Sequence, residues 1–154
     1  MNKIQRIEHV WSLLCERSIT DSSSNNISLT NILEEVQITP PAGTKLGDEL
    51  YSQEKVVPIN FELITLWKKL TGKSEHLDMK IEIIDPNNKV LSSTIHPLDI
   101  KAELRRLRSR TMFNGIKITS PGEYVFSVFK NEGGDYELAG QAHLEVKIAV
   151  PKAK

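Results

Sequence analysis

Ser120-Pro121-Gly122-Glu123-Tyr124-Val125-Phe126-Ser127-Val128-Phe129, then Asn131-Glu132-Gly133-Gly134-Asp135, then Tyr136-Glu137-Leu138-Ala139-Gly140, then Ala142-His143-Leu144-Glu145-Val146-Lys147-Ile148 is the stretch that decides the fold. It reads as a turn, a strand, a glycine-rich tip and a return strand, the signature of a β-hairpin. Ala142, Leu144, Val146 and Ile148 lie two apart, with His143, Glu145 and Lys147 between them. In a strand, that alternation sends one set to a core and the other to water. A half-buried hairpin needs a second layer to cover its apolar face, so the closing hairpin implies a layered β-structure.

Working outward, similar signals recur. Met79, Ile81 and Ile83 alternate with Lys80 and Glu82, and Asp85-Pro86-Asn87-Asn88 follows as a turn. Proline presets φ there and asparagine tolerates the left-handed region. Val90 to Ile95 returns, and His96-Pro97 is expected to stop it. Pro58 opens a strand through Trp67 that is apolar on both faces, as a central strand would be. Leu98 to Leu104 reads as a loop or helical turn, followed by a strand over about 106–113 and the turn Asn114-Gly115. Near the start, Ile7, His9, Trp11, Leu13, Cys15, Arg17 and Ile19 lie two apart, although Ile4, Ile7, Trp11 and Leu14 also fit a helical face. The dense turn cluster Thr20 to Asn26 favours strand, giving a hairpin of about 7–20 and 27–38. Helical periodicity competes at 1–15, 29–37 and 98–108. Residues 43–57 form the longest structureless segment. The sum is one all-β domain over 1–154: an antiparallel β-sandwich of about eight strands with at most one short helix, a closed barrel being the alternative.

Composition narrows the function. The chain has 154 residues, with 20 basic and 20 acidic side chains that cancel. No global field draws it to nucleic acid or an anionic membrane. A single cysteine, Cys15, cannot form an internal disulfide, which fits a reducing, cytoplasmic setting. No apolar run approaches the roughly 20 residues needed to span a bilayer. Met1 to Arg17 has no clean apolar block, against a signal peptide.

The search for chemistry returns little. His9, His76, His96 and His143 show no metal-ligand spacing. Asp21, Asp85, Glu132 and Asp135 sit singly or in pairs in turns, where Asp and Asn are ordinary formers, so no metal is expected. Thr71-Gly72-Lys73-Ser74 resembles the end of a phosphate-binding loop, but Trp67 stands where that loop needs glycine. Cys15 reads as a small buried hydrophobe, and Trp11 and Trp67 as core. No catalytic residue, cofactor site or metal site emerges. The unusual feature is Arg105-Arg106-Leu107-Arg108-Ser109-Arg110. As a strand, it would range Arg106, Arg108 and Arg110 along one face, the arrangement that grips carboxylates and phosphates through bidentate bonds. The plainer reading is a solvated face or a charge-protected sheet edge.

Cys15-Glu16, the segment from Asn26 to Glu35, the Pro58 to Leu66 strand, Ile83 to Val90 around Asp85-Pro86, Pro121-Gly122-Glu123-Tyr124 and Leu138-Ala139-Gly140 together resemble a group of small bacterial proteins of unknown function. That group has a C2-like or immunoglobulin-like sandwich. The resemblance implies the fold and supplies no catalytic residues. The C2-like name imports neither calcium nor lipid, since the dense aspartate loops are missing. The expected function is therefore a non-enzymatic sandwich working through protein contacts or self-association. The alternatives are an anion-binding module using Arg106, Arg108 and Arg110, and a hydrolase with scattered acids.

Overall fold

The computed structural model describes residues 3–39 and 55–149. Their eleven strands are β1 (Ile7–Thr20), β2 (Ile27–Ile32), β3 (Glu35–Ile38), β4 (Lys55–Val57), β5 (Phe61–Lys69), β6 (Glu75–Ile84), β7 (Val90–Ile100), β8 (Arg106–Phe113), β9 (Ile116–Ile118), β10 (Gly122–Asn131) and β11 (Glu137–Ile148). No helix occurs among them, so none is long and apolar enough to cross a membrane. One sheet has the order β2-β1-β5-β8, the other β3-β11-β10-β6-β7, and β4 and β9 form a small third pair. The expected all-β sandwich is what the chain forms. Most of the segment read as a 43–57 loop lies outside the described residues, and its end is β4.

The two sheets close on one core. Trp67, Phe61 and Leu63 from β5 meet Leu77, Met79 and Ile81 from β6, together with Tyr124, Phe126 and Val128 from β10. Both sheets present alternate residues inward, so the core follows from period-two patterning. Ala142, Leu144 and Val146 are buried as expected, while Ile148, near the end of β11, is half-buried. Tyr124 pins a corner: its hydroxyl donates to the Ser120 carbonyl at 2.7 Å and accepts from Thr119 N–H at 2.9 Å. A tyrosine bonded back to the chain just upstream is a recurrent device of immunoglobulin-like sandwiches. Asp85 anchors the neighbouring turn through bonds from Asn87 N–H, Lys89 N–H and the Thr119 hydroxyl. Burial pushes its carboxyl up, but those bonds and the Lys89 charge outweigh it and hold the pKa below the usual range.

Four expectations are corrected. The strand read as 27–38 is two strands in different sheets: β2 pairs with β1, and β3 runs parallel to β11. The chain switches sheets at Leu33-Glu34, just after Asn31 takes a positive φ of 53°. That break, with short β4 and β9, raises the described count from eight to eleven. His96-Pro97 does not stop β7, which continues to Ile100. β7 is a sheet edge, and proline is tolerated where a nitrogen need not donate to a neighbour. Of the stretch expected as a loop or helical turn, residues 98–100 are therefore strand, and 101–104 form a turn in which Leu104 N–H donates to the Lys101 carbonyl at 3.0 Å. Finally, Trp11 is not in the core, because β1 carries an irregularity between His9 and Trp11. The extra residue, Val10, reverses the alternation: Ile7 packs inward, whereas Trp11, Leu13 and Cys15 pair with Leu66, Ile64 and Glu62 on the outer face.

Candidate functional site: the arginine face of β8

Among the described residues, β8 pairs only with β5 and forms an edge of its sheet. The register sets Arg106 beside Lys68, Arg108 beside Leu66, and Arg110 beside Ile64. The odd residues Leu107 and Phe113 pack toward the core, so the three arginines share the outer face. Row by row, that face reads Trp11–Leu66–Arg108, Leu13–Ile64–Arg110, and Ile32–Cys15–Glu62–Met112 across the strands. The arginines thus border an apolar strip containing a tryptophan. Sequence reasoning missed Trp11 here because one inserted residue changed its face.

A hairpin covers part of this strip. Arg108 Nη2 donates to the Asn25 carbonyl at 2.6 Å and to its Oδ1 at 3.2 Å. Asn25 lies in the turn beyond Thr20, whereas Arg108 is level with Trp11 near the other end of β1. The β1–β2 hairpin must therefore bend back across the outer face of β5 and β8. Its roof explains why Ile64 is fully buried outside the main core. The turn is bonded within itself: Asp21 Oδ1 accepts from Ser23 N–H, Ser23 Oγ and Ser24 N–H. These bonds hold the Asp21 carboxyl below its ordinary pKa. Between roof and sheet runs a groove of about 640 Å³, with half-buried Leu66 on its floor above the buried Ile64, and walled by Arg106, Arg108 and Arg110.

The arginines differ in their engagement. Arg108 holds the hairpin tip. Arg110 stands 3.9 Å from Glu62, a loose pair with the arginine side chain 56% exposed and the carboxylate 9%. Glu62 also lies 4.0 Å from the Cys15 thiol, whose pKa burial and this carboxylate push up. Such a thiol is a poor nucleophile. Arg106 is exposed and has no bonded partner among the described residues.

A second polar cluster sits at the opposite end of β1 and was not foreseen. Lys130 Nζ donates to the Ile7 carbonyl at 2.7 Å and lies 3.3 Å from Glu132. Glu132 Oε1 accepts from Arg6 and Ile7 N–H, while Arg6 pairs with Glu75 at 2.9 Å. Residues 123 to 126 apart in sequence meet here, so no local motif could announce it. Beside it, His9 Nε2 and Ser12 Oγ are 2.6 Å apart. Among the described residues, no carboxylate bonds the His9 ring as the third member of a hydrolytic triad would. Burial and then the Lys130 charge lower the His9 pKa, whereas catalysis needs a group that stabilises the imidazolium. Among the described residues, no group of three His, Cys, Asp or Glu side chains is placed to hold a metal. Thr71 to Ser74 is the turn joining β5 to β6, and the Asn131 side chain accepts from Gly133 and Gly134 N–H to form the β10–β11 tip.

No protein-family model matches the chain, and no curated protein does. Among solved structures, an immunoglobulin-like protein from Pseudomonas aeruginosa aligns over 94% of both chains at 14% identity with a TM-score of 0.37. An alkylpurine DNA glycosylase from Pseudomonas fluorescens, bound to DNA containing an abasic site analog, aligns at 15% identity with a TM-score of 0.45. That alignment covers 59% of this chain and 26% of the glycosylase, so the chain spans about a quarter of that protein's length. Likenesses this distant assign no role to any residue.

Proposed function

We propose that the protein is a non-catalytic binding module that holds an anionic partner on the arginine face of β8. One observation carries this reading: Arg106, Arg108 and Arg110 line a single groove with an apolar floor, and Arg106 has no partner among the described residues. A carboxylate or phosphate entering the groove would meet guanidinium forks near apolar surface, where such bonds are strengthened. The reading joins both expectations from sequence, since an acidic protein partner is a protein contact and an anion at once. Its resemblance to the C2-like bacterial group adds no residue to the argument.

Self-association through β8 is disfavoured on charge. Antiparallel pairing of two β8 strands about Arg108 would set arginine against arginine along the row, and like charges directly opposite are destabilising.

Titration at low ionic strength with inorganic polyphosphate and with a labelled acidic peptide tests the proposal. Binding is expected, weakening steeply with added salt as screening sets in. Arg106→Ala is expected to weaken it about fivefold to tenfold, as loss of a charge-assisted bond does. Because Arg106 is exposed and unpaired among the described residues, thermal stability should stay within about 0.5 kcal/mol of wild type. No binding of either probe at low salt, or an affinity indifferent to Arg106→Ala, contradicts the proposal.

A further inference from the structure

The backbone of β8 says more about the partner than its side chains do. Lys69 N–H donates to the Arg105 carbonyl at 2.8 Å. Lys69 and Arg105 continue the register that pairs Lys68 with Arg106 and Trp67 with Leu107, and that register has no irregularity. In an antiparallel pair, both polar backbone groups of a residue point to the same side, and successive residues alternate sides. Arg105, Leu107, Ser109 and Thr111 therefore turn their backbone groups toward β5. Arg106, Arg108, Arg110 and Met112 turn theirs to the free edge, where no described residue bonds them. The residues that carry the arginine stripe are the same ones that offer their N–H and C=O groups to a new strand.

We infer that the partner is an extended acidic segment that adds to the β8 edge as an antiparallel strand, with Asp or Glu at alternate positions. This rests on the anion-binding reading and specifies its ligand. A strand added there would pair residue for residue with Arg106, Arg108 and Arg110 through main-chain bonds. Residues directly opposite share a face and lie within about 5.5 Å between Cα atoms. Each opposed acidic side chain would then stand beside a guanidinium at the groove, and the intervening side chains would face the other way. Arginines two residues apart are spaced by about 6.8 Å, the repeat of alternate residues in another strand. A helix or a compact anion cannot match that repeat while also bonding the edge. A second copy of the chain would place arginine opposite arginine, so charge selects an acidic occupant over self-pairing. The Asn25 contact uses only Nη2 of Arg108, which leaves other donors of that guanidinium available.

The test uses three labelled peptides with the full-length protein at low salt: one with Glu alternating with Thr or Val, one of the same composition with the Glu residues in a block, and the alternating peptide N-methylated at its Glu amides. The alternating peptide is expected to bind about tenfold tighter than the block peptide, and N-methylation to cost about tenfold or more, because edge bonds are lost. Arg106→Ala should narrow the gap between alternating and block peptides. Equal affinities for all three, with Arg106→Ala weakening each, would overturn strand addition while leaving the anion-binding reading intact. Binding of polyphosphate but of no peptide would overturn it in the same way. Absence of binding by every probe would overturn both. Dimerisation of the protein without added peptide, abolished by Arg106→Ala, would show that a second copy takes the edge and would also overturn it.

Discussion

At the scale of single residues, two histidines of ordinary appearance are pushed in opposite directions. His9 is half-buried between the Trp67 ring, 5.2 Å away and nearly perpendicular, and Gly140. Burial first, and the Lys130 charge second, lower its pKa. Its folded pKa lies below the unfolded value near 6.5, so its contribution to stability is present above that value and is lost as pH falls through the folded pKa. His76 is the reverse. Its hydrogen bond to Asp99, 2.7 Å long, leads the causes that raise its pKa, so its contribution is present below about 6.5 and lost as pH rises through the folded value. An NMR titration of the imidazole protons should place the His9 midpoint below that of a model imidazole and the His76 midpoint above it. Gly140 supplies the space for His9: a Cβ there would meet its Nε2 at 2.8 Å and its ring carbon closer still. Gly140→Ala should lower stability by about 1–3 kcal/mol, as overpacking does. His9→Ala in the same chain should recover part of that loss, and chemical denaturation of the two variants and the double variant measures it.

At the scale of elements, the entry of β1 into the sandwich is fixed by charge. Glu132 binds the N–H groups of Arg6 and Ile7 while facing Lys130, all with little solvent access. Glu132→Ala leaves a buried lysine without its counter-ion and should cost about 3–5 kcal/mol in denaturant unfolding. A loss under about 1 kcal/mol would mean that water substitutes for the carboxylate. None of this network was legible in the sequence, since β1 and β10 meet only in the folded sandwich. What was legible followed from patterning. The bounds of β1 and β8, the Asp85 turn and the β10–β11 hairpin all rest on alternation or turn chemistry, which are local. What was illegible rests on events that alternation cannot register. Val10 adds one residue and turns Trp11 outward. Pro97 is harmless because β7 happens to be an edge. The run from Ile27 to Ile38 stays extended while changing sheets. The arginine stripe was legible as a row, but its groove was not, because its roof depends on a hairpin bending back over the face.

At the scale of the whole molecule, the sandwich separates a closed core from an outer face that is apolar, arginine-bordered and, among the described residues, open along the β8 edge. Net charge is zero, so the molecule as a whole adds little long-range steering to the local attraction of this face. Recognition must come from register and contact, which is what an edge strand with side chains at fixed spacing provides. Chemical-shift mapping of the isotopically labelled protein with the alternating acidic peptide tests this most directly. The account predicts that the largest shifts fall along Arg106 to Met112, that the amides of Arg106, Arg108 and Arg110 gain protection from hydrogen exchange, and that β3 and β11 stay unmoved. Shifts concentrated elsewhere, or shifts of arginine side chains with no new amide protection on β8, would contradict it.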